Sequence, residues 1–295
     1  IGDGALKDQT AANDQNIAIG YMAGQNTNCG HGIFIGDRAG QNHKGQSEVI
    51  AIGNNALNGA SSGSHESNYN IGLGYYSGKS IAGGDYNFFC GYEAGKDITD
   101  GDNNILIGKN AGTDLTGQYT NNNIALGFEA MQAATAAYEN IALGYRTLNS
   151  AGAGSRNIGI GTECLRQMTS GQFNVGIGNN AGKAITTGEG HICIGKYAGM
   201  NLTTGQDNVF IGTTAGDAAT TPWGNTGVGF SALTSLTTGA SNVALGRNAA
   251  TAMTTGGTNT ALGTRAGLVL TEGDSNTFVG KDAGDSATVI NEAVL

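Results

Sequence analysis

The chain has 295 residues, of which 52 are glycine, one is proline and 13% are charged, and its formal net charge is −9 at pH 7. This balance argues against a nucleic-acid partner, because phosphate binding needs clustered Lys and Arg. The sequence has no run of about 18 apolar residues that would cross a bilayer, so we expect no membrane insertion.

The glycines recur at fixed positions. Each phrase of the form Asn-x-x-[Ile/Leu/Val]-Gly ends in a glycine that we call the marker glycine, and the slots of a repeat are numbered from it. From Gly127 onward every step is 17 residues, whereas earlier steps range from 16 to 21. The markers are Gly2, Gly20, Gly36, Gly53, Gly74, Gly91, Gly108, Gly127, Gly144, Gly161, Gly178, Gly195, Gly212, Gly229, Gly246, Gly263 and Gly280. The repeat spans the chain and predicts one domain, residues 1–295.

Each repeat predicts short strands and tight turns. Slots −3 and −1 hold large aliphatic residues, as in Ile105 and Ile107, and a second apolar slot at +7 is followed by Thr and a turn glycine, which together predict two strands per repeat. Two or three glycines per repeat disfavour a helix. The predicted fold class is therefore all-β, a parallel β-roll solenoid of about 17 rungs with a 17-residue repeat.

Two features of the repeat predict how it is held together. Asn fills slot −4 in most rungs, with Gly32, Val49 and His191 as exceptions, which favours an asparagine ladder over a ligand-binding row. The strand is apolar on both faces, because side chains alternate sides. One face must be covered from outside the rung, and association with identical copies is the simplest cover.

The phrase Asn-x-Ala-[Ile/Leu]-Gly-x-x-Ala, at 123–130 and 242–249, resembles the repeats of trimeric autotransporter adhesin heads. The longer form with Thr-Thr-Gly, at 242–258, is similar to repeat regions of bacteriophage tail fibres. The resemblance implies left-handed β-rolls packed side by side as a homotrimer, an extracellular location on a virion or a bacterial surface, and a host or cell-surface glycan or protein receptor. Ala replaces Ser at slot +3, and each rung is longer than in the adhesin heads.

Because the chain begins partway through a repeat, at Ile1–Gly2, we expect a fragment or a processed part of a longer fibrous chain. The resemblance implies a structural and adhesive function, in a virus tail fibre or, as the alternative, in a bacterial adhesin head. An ice-binding solenoid and a polysaccharide depolymerase are the competing classes.

The sequence predicts no enzyme, no cofactor and no metal site. The four cysteines replace small or apolar residues and are expected to fill the core without disulfides, whereas the four histidines share no slot or ligand spacing and are expected at turns and on the surface. The acidic turns at 100–104 and 272–276 lack a calcium-binding nonapeptide. A pair of carboxylates meeting across a subunit boundary would escape this search.

Threonine pairs and irregular repeats supply the remaining candidates. Thr186–Thr187 begins a run of Thr pairs on five rungs, which predicts hydrogen-bonded turns or, alternatively, an ice-binding array. Candidate receptor contacts are aromatic or lie in irregular loops, where binding residues concentrate. They are His65, Tyr69, Tyr75, Tyr92, Tyr119 and Trp223. The alternatives are aromatic stacking between rungs and a receptor-binding tip beyond Leu295.

Overall fold

In a computed structural model the chain is a parallel β-solenoid, described for residues 1–8, 15–44, 47–59, 67–117, 120–150, 152, 154–286 and 288–294, in which there is no helix. It divides into two compact units, Ile1–Ala153 and Gly154–Leu295. The strands of the first unit are β1 (Ile17–Ile19), β2 (Gly32–Ile35), β3 (Val49–Ile52), β4 (Ile71–Leu73), β5 (Phe88–Cys90), β6 (Ile105–Ile107), β7 (Ile124–Leu126) and β8 (Ile141–Leu143). The strands of the second unit are β9 (Ile158–Ile160), β10 (Val175–Ile177), β11 (Ile192–Ile194), β12 (Val209–Ile211), β13 (Thr226–Val228), β14 (Val243–Leu245), β15 (Thr260–Leu262) and β16 (Thr277–Val279).

Within each unit, every strand pairs in parallel with the next strand along the chain, and equal slots face each other. Val175 pairs with Ile192, one 17-residue step later. Across the longest repeat the register is kept, because Ile50 pairs with Ile71 and the extra residues lie outside the strands. The prediction of an all-β parallel solenoid with 17-residue spacing is confirmed.

The prediction of two strands per repeat is wrong. Each rung has one strand of three or four residues, and its second segment makes only isolated parallel bridges, such as Gln206 to Trp223. The reason lies in the hydrogen bonds of this segment. The backbone N–H groups of Thr169, Ser170 and Gly171 all donate to the carbonyl of Thr186, whereas a strand ladder needs donors and acceptors spread along the chain.

The marker glycine is fixed by its backbone and by the next rung. Gly195 has φ +130, and a Cβ at this position would lie 2.6 Å from the carbonyl oxygen of Gly212. Both the left-handed backbone and this contact exclude a side chain. Adjacent rungs therefore approach through bare glycines, which explains why the glycine recurs at the end of each strand.

The core of each rung is filled by slots −2 and +4 together. Where slot −2 is a large ring, slot +4 is glycine: a Cβ on Gly95 would lie 2.5 Å from the ring of Phe89. In some rungs where slot −2 is alanine, slot +4 supplies a larger side chain, as in the fully buried pair Ala142 and Leu148. In other rungs slot +4 is a glycine that lies against the ring of the next rung, as Gly267 does against Phe278. Protein interiors are close-packed, and slots −2 and +4 together with the side chains of the next rung fill the cross-section.

The asparagine ladder is confirmed. The Oδ1 of Asn208 accepts hydrogen bonds from the backbone N–H and from the Nδ2 of Asn225, at 3.0 and 2.9 Å. The Nδ2 of Asn225 also donates to the Gly239 carbonyl at 2.8 Å, which ties the strand to the turn of its own rung. These amides are buried, and a buried amide left without partners would be costly.

Candidate functional site

The outward side of the strands is an unusual surface. Slots −3 and −1 point outward while slot −2 points into the core, so Ile17 and Ile19 are 53% and 46% exposed on either side of buried Ala18. We call these two columns the outer sheet face; they are aliphatic except at Phe88, Cys90, Thr226, Thr260 and Thr277. Seven rung steps of about 4.8 Å make the columns of each unit about 34 Å long. Soluble monomers rarely expose apolar patches this continuous.

A thiol lies within this face. Cys90 occupies slot −1 of β5 and is partly exposed, whereas Cys29, Cys164 and Cys193 are buried. Burial raises the pKa of the Cys164 thiol to about 12 and raises that of Cys193 further. No disulfide joins the four cysteines, in agreement with the prediction, although Cys90 fills the outer face and not the core.

Aromatic side chains form one border of the outer sheet face, at slot +1. The rings of Tyr75 and Tyr92 stack at 5.1 Å between centroids, and those of Phe128 and Tyr145 at 5.5 Å. Lys109 lies between them, with its Nζ 5.6 Å from the Tyr92 ring and 5.7 Å from the Phe128 ring. Because these ring faces are turned toward one another, the column supports the stacking interpretation of Tyr75 and Tyr92.

The opposite border, at slot −5, contains a groove. Tyr69 stacks on Tyr86 at 4.9 Å, and a groove of about 200 Å³ is lined by Tyr69, Glu48, Ile50 and Ile71. Tyr69 has a φ of +57. The same left-handed backbone occurs at slot −5 in rungs with other side chains, such as Glu139, so it belongs to the fold and does not mark a site.

A second groove of about 300 Å³ lies further along the same border, lined by Asn121, Asn122, Tyr138 and Glu139. Its lining is more polar than that of the Tyr69 groove. Both grooves flank the aliphatic columns, so any partner that covers the outer sheet face reaches them as well.

Trp223 lies in the second unit, on the second segment of its rung. Its side chain is 55% exposed, and its indole Nε1 donates to the Oε1 of Gln206 at 3.3 Å. Isolated parallel bridges join Gln206 to Trp223 and Trp223 to Ala240. Trp223 is therefore held in register with the rungs on either side.

The structure separates the six candidate receptor contacts. Tyr75 and Tyr92 lie together at slot +1, Tyr69 lies at the opposite border of the face, and Trp223 lies in the second unit. His65 and Tyr119 lie outside the described residues. The sequence analysis missed Tyr86 and Glu48, although both occupy slot −5, the slot of Tyr69 in neighbouring repeats.

The histidine prediction is wrong for His43 and His191, which are buried. His191 replaces asparagine in the ladder: its backbone N–H donates to Asn174 Oδ1, and its Nδ1 accepts the backbone N–H of Asn208 at 3.3 Å. Burial lowers the pKa of each of these two histidines to about 4. His31 is exposed, as expected.

The threonine pairs divide into two columns. The slot +8 hydroxyls are half-buried and donate along the stack, as Thr220 Oγ1 does to the Thr237 carbonyl at 3.3 Å. The slot +9 residues, Thr187, Thr204, Thr221, Thr238 and Thr255, are exposed. The predicted turn hydrogen bonds are confirmed for slot +8, and only slot +9 presents hydroxyls to solvent.

Within the described ranges, no three His, Cys, Asp or Glu side chains come together in a way that could hold a metal ion. The same residues include no helix long and apolar enough to span a bilayer. A comparison with protein-family models and with curated proteins gives no match.

Proposed function

We propose that this chain is a structural and adhesive segment of an extracellular fibre, a virus tail fibre or a bacterial surface adhesin, which assembles as a homotrimer and attaches to a cell-surface receptor. The observation that carries the proposal is the outer sheet face. An aliphatic surface on successive rungs is expensive to leave in water, since apolar area costs about 25 cal/mol per Å².

Self-association is the cover that fits this surface. The face repeats with the rungs, so a partner must present a matching apolar face of the same period, and a second copy of the chain does so. Its borders carry aromatic side chains that suit such a contact: Tyr75, Tyr92 and Phe128 at slot +1, and Tyr69 and Tyr86 at slot −5. Aromatic rings of this kind are enriched at protein interfaces.

Within this proposal the chain acts by packing and contact and is not an enzyme. Regular rungs can stack into a fibre because each one contacts the next through its marker glycine, its ladder asparagine and its core residues. Variation in the exposed slots, which changes the surface without changing these contacts, then supplies recognition.

Cys90 provides a direct test of the assembly. If three copies pack through the outer sheet face in register, their Cys90 thiols lie at the same height near the contact. A short bis-maleimide should then link copies through Cys90, while Cys90→Ser should abolish the link and leave the mass in light scattering trimeric. A monomeric mass with no cross-link would refute the assembly.

Attachment is tested separately. The purified protein should bind the surface of a susceptible cell, and an outer-face variant such as Ile105→Asp, which places a charge in the aliphatic column, should lose trimer and attachment together. The control Thr187→Asp changes an exposed slot +9 residue away from this face and should keep the trimer. Failure of the intact protein to bind any cell surface would count against adhesion while leaving the assembly standing.

A further inference from the structure

The second unit carries a second exposed surface, beside the slot −5 border of the outer sheet face. Around Trp223 the second segment alternates: Thr221 and Trp223 are exposed on one side, and Pro222 between them is buried. The neighbouring rungs repeat this arrangement, with Thr204 and Gln206 on one side along the stack and Thr238 and Ala240 on the other. The result is a local surface of hydroxyls and one amide around a single large ring.

The backbone beneath the ring is firmly held. The carbonyl of Pro222 accepts from Asn208 Nδ2 at 2.9 Å, and the carbonyl of Trp223 accepts from Asn225 Nδ2 at 3.2 Å. The Ser241 N–H also donates to the Trp223 carbonyl, at 2.9 Å. Proline at 222 fixes φ just before the ring, so the ring projects from backbone that is anchored to the buried ladder.

The ring itself is left open. In the described part of the chain no other aromatic ring stacks on Trp223, whereas Tyr69, Tyr75 and Phe128 each have a ring partner. The hydrogen bond to Gln206 sets the indole against the preceding rung. On the side of the ring away from Gln206, the next two rungs have Ala240 and Gly257 at the slot of Trp223. These small residues leave open space beside the ring.

From this geometry we propose that Trp223, with the hydroxyls of Thr221 and Thr238 and the amide of Gln206, is a platform for a neutral saccharide. The proposal deepens the proposed adhesive function by naming a ligand class. A pyranose ring has an apolar C–H face, which suits an exposed indole, and a rim of hydroxyls, which suits hydroxyl and amide partners.

Charge around the platform selects a neutral sugar. Glu189 occupies the slot of Trp223 two rungs earlier, and Asp207 adjoins Gln206. Both are exposed, and the chain carries a net charge of −9. A sialic acid or uronic acid would add like charge beside these carboxylates, and like charges repel.

Because Trp223 is the only tryptophan, its fluorescence reports on this platform alone. The intact protein is titrated with lactose, cellobiose, maltose and chitobiose, and with sialyllactose as the anionic counterpart of lactose. At least one neutral disaccharide should shift the emission to shorter wavelength and lower acrylamide quenching about twofold, since one ring face is covered. Sialyllactose should have a weaker effect than lactose.

Variants then assign the contact. Trp223→Ala should weaken binding of the responding disaccharide, measured by calorimetry, by about tenfold or more, and Trp223→Phe should retain part of it. Phe173→Ala, which removes another aromatic with 55% exposure, is the matched control and should leave binding unchanged. Light scattering of each variant checks that assembly is intact.

The outcomes separate the two proposals. If no neutral disaccharide alters Trp223 fluorescence, or if sialyllactose binds more tightly than lactose, the platform is refuted, even when the protein forms trimers and attaches to cells. If a neutral disaccharide binds at Trp223 while the protein stays monomeric and attaches to no cell, the platform stands and the fibre proposal fails.

Discussion

The histidine in the asparagine ladder should make stability depend on pH. In the fold, burial keeps His191 neutral, and protonation would in addition turn its Nδ1, which accepts from Asn208, into a second donor. The unfolded chain has no such constraint and binds the proton first. Stability is therefore complete above about pH 6.5, the ordinary histidine pKa, and falls as the pH is lowered toward about 4, the pKa in the fold.

The size of the effect follows from the two pKa values. The difference between 6.5 and about 4, at about 1.36 kcal/mol per pKa unit, corresponds to about 3 kcal/mol. His43 has the same lowered pKa and contributes a similar amount. His191→Asn should therefore remove about half of the histidine-dependent loss.

The assay is chemical denaturation followed by circular dichroism, at about pH 7.5 and about pH 4.5, for the parent and His191→Asn. Hydrogen exchange at the Asn208 amide, which donates to residue 191, gives the local readout and should slow in the variant. Asn225→His, which places a histidine in an intact part of the ladder, should steepen the pH dependence. Equal pH dependence in the parent and His191→Asn would refute the assignment of this pH dependence to His191.

Three further outcomes are expected. Gly195→Ala should cost about 3 kcal/mol or more, measured by denaturant titration, whereas Gly280→Ala shares the positive φ but meets nothing within 4 Å and should cost clearly less; equal costs would show that the contact with the next rung is unimportant. Thr220→Val should cost about 1 kcal/mol through its lost hydrogen bond, while Thr221→Val, its exposed neighbour, should be near neutral in thermal denaturation. A thiol reagent at neutral pH should label Cys90 in the native protein and reach buried Cys164 and Cys193 only on unfolding; rapid labelling of Cys193 would contradict its burial.

The periodic features could be read from the sequence because they depend on contacts between equal slots. A marker glycine every 17 residues implies that rungs stack in register, and a buried asparagine in the same slot implies a ladder, since each amide needs a partner at one rung spacing. The structure shows this ladder between Asn208 and Asn225. The exception at His191 is tolerated because the imidazole Nδ1 can also accept a hydrogen bond.

Other features could not be read from single slots. The outward position of Ile105 and Ile107 is unexpected, since these side chains are larger and more apolar than many inward residues of slot −2. The signal that identifies the inside is the glycine that stands at slot +4 wherever slot −2 is phenylalanine, as in Phe89 with Gly95. The second strand failed as a prediction because its hydrogen bonds converge on one carbonyl, a backbone property that side-chain alternation does not encode.

The exchange of volume between slots −2 and +4 limits how such a chain can change its number of repeats. A recombination that joins two repeats at the marker glycine keeps the 17-residue register and the ladder, yet it brings a new slot −2 beside an old slot +4. If the repeat half with Phe210 at slot −2 were joined to one with Leu233 at slot +4, the leucine would stand where Gly216 stands now. The core would then be overfilled, because a Cβ on Gly216 already lies 2.5 Å from the Phe210 ring. Repeats whose side chains at slots −2 and +4 have compatible volumes can be gained or lost without this clash. Related chains should therefore differ in length by whole blocks of rungs, with similar core residues at both ends of each block.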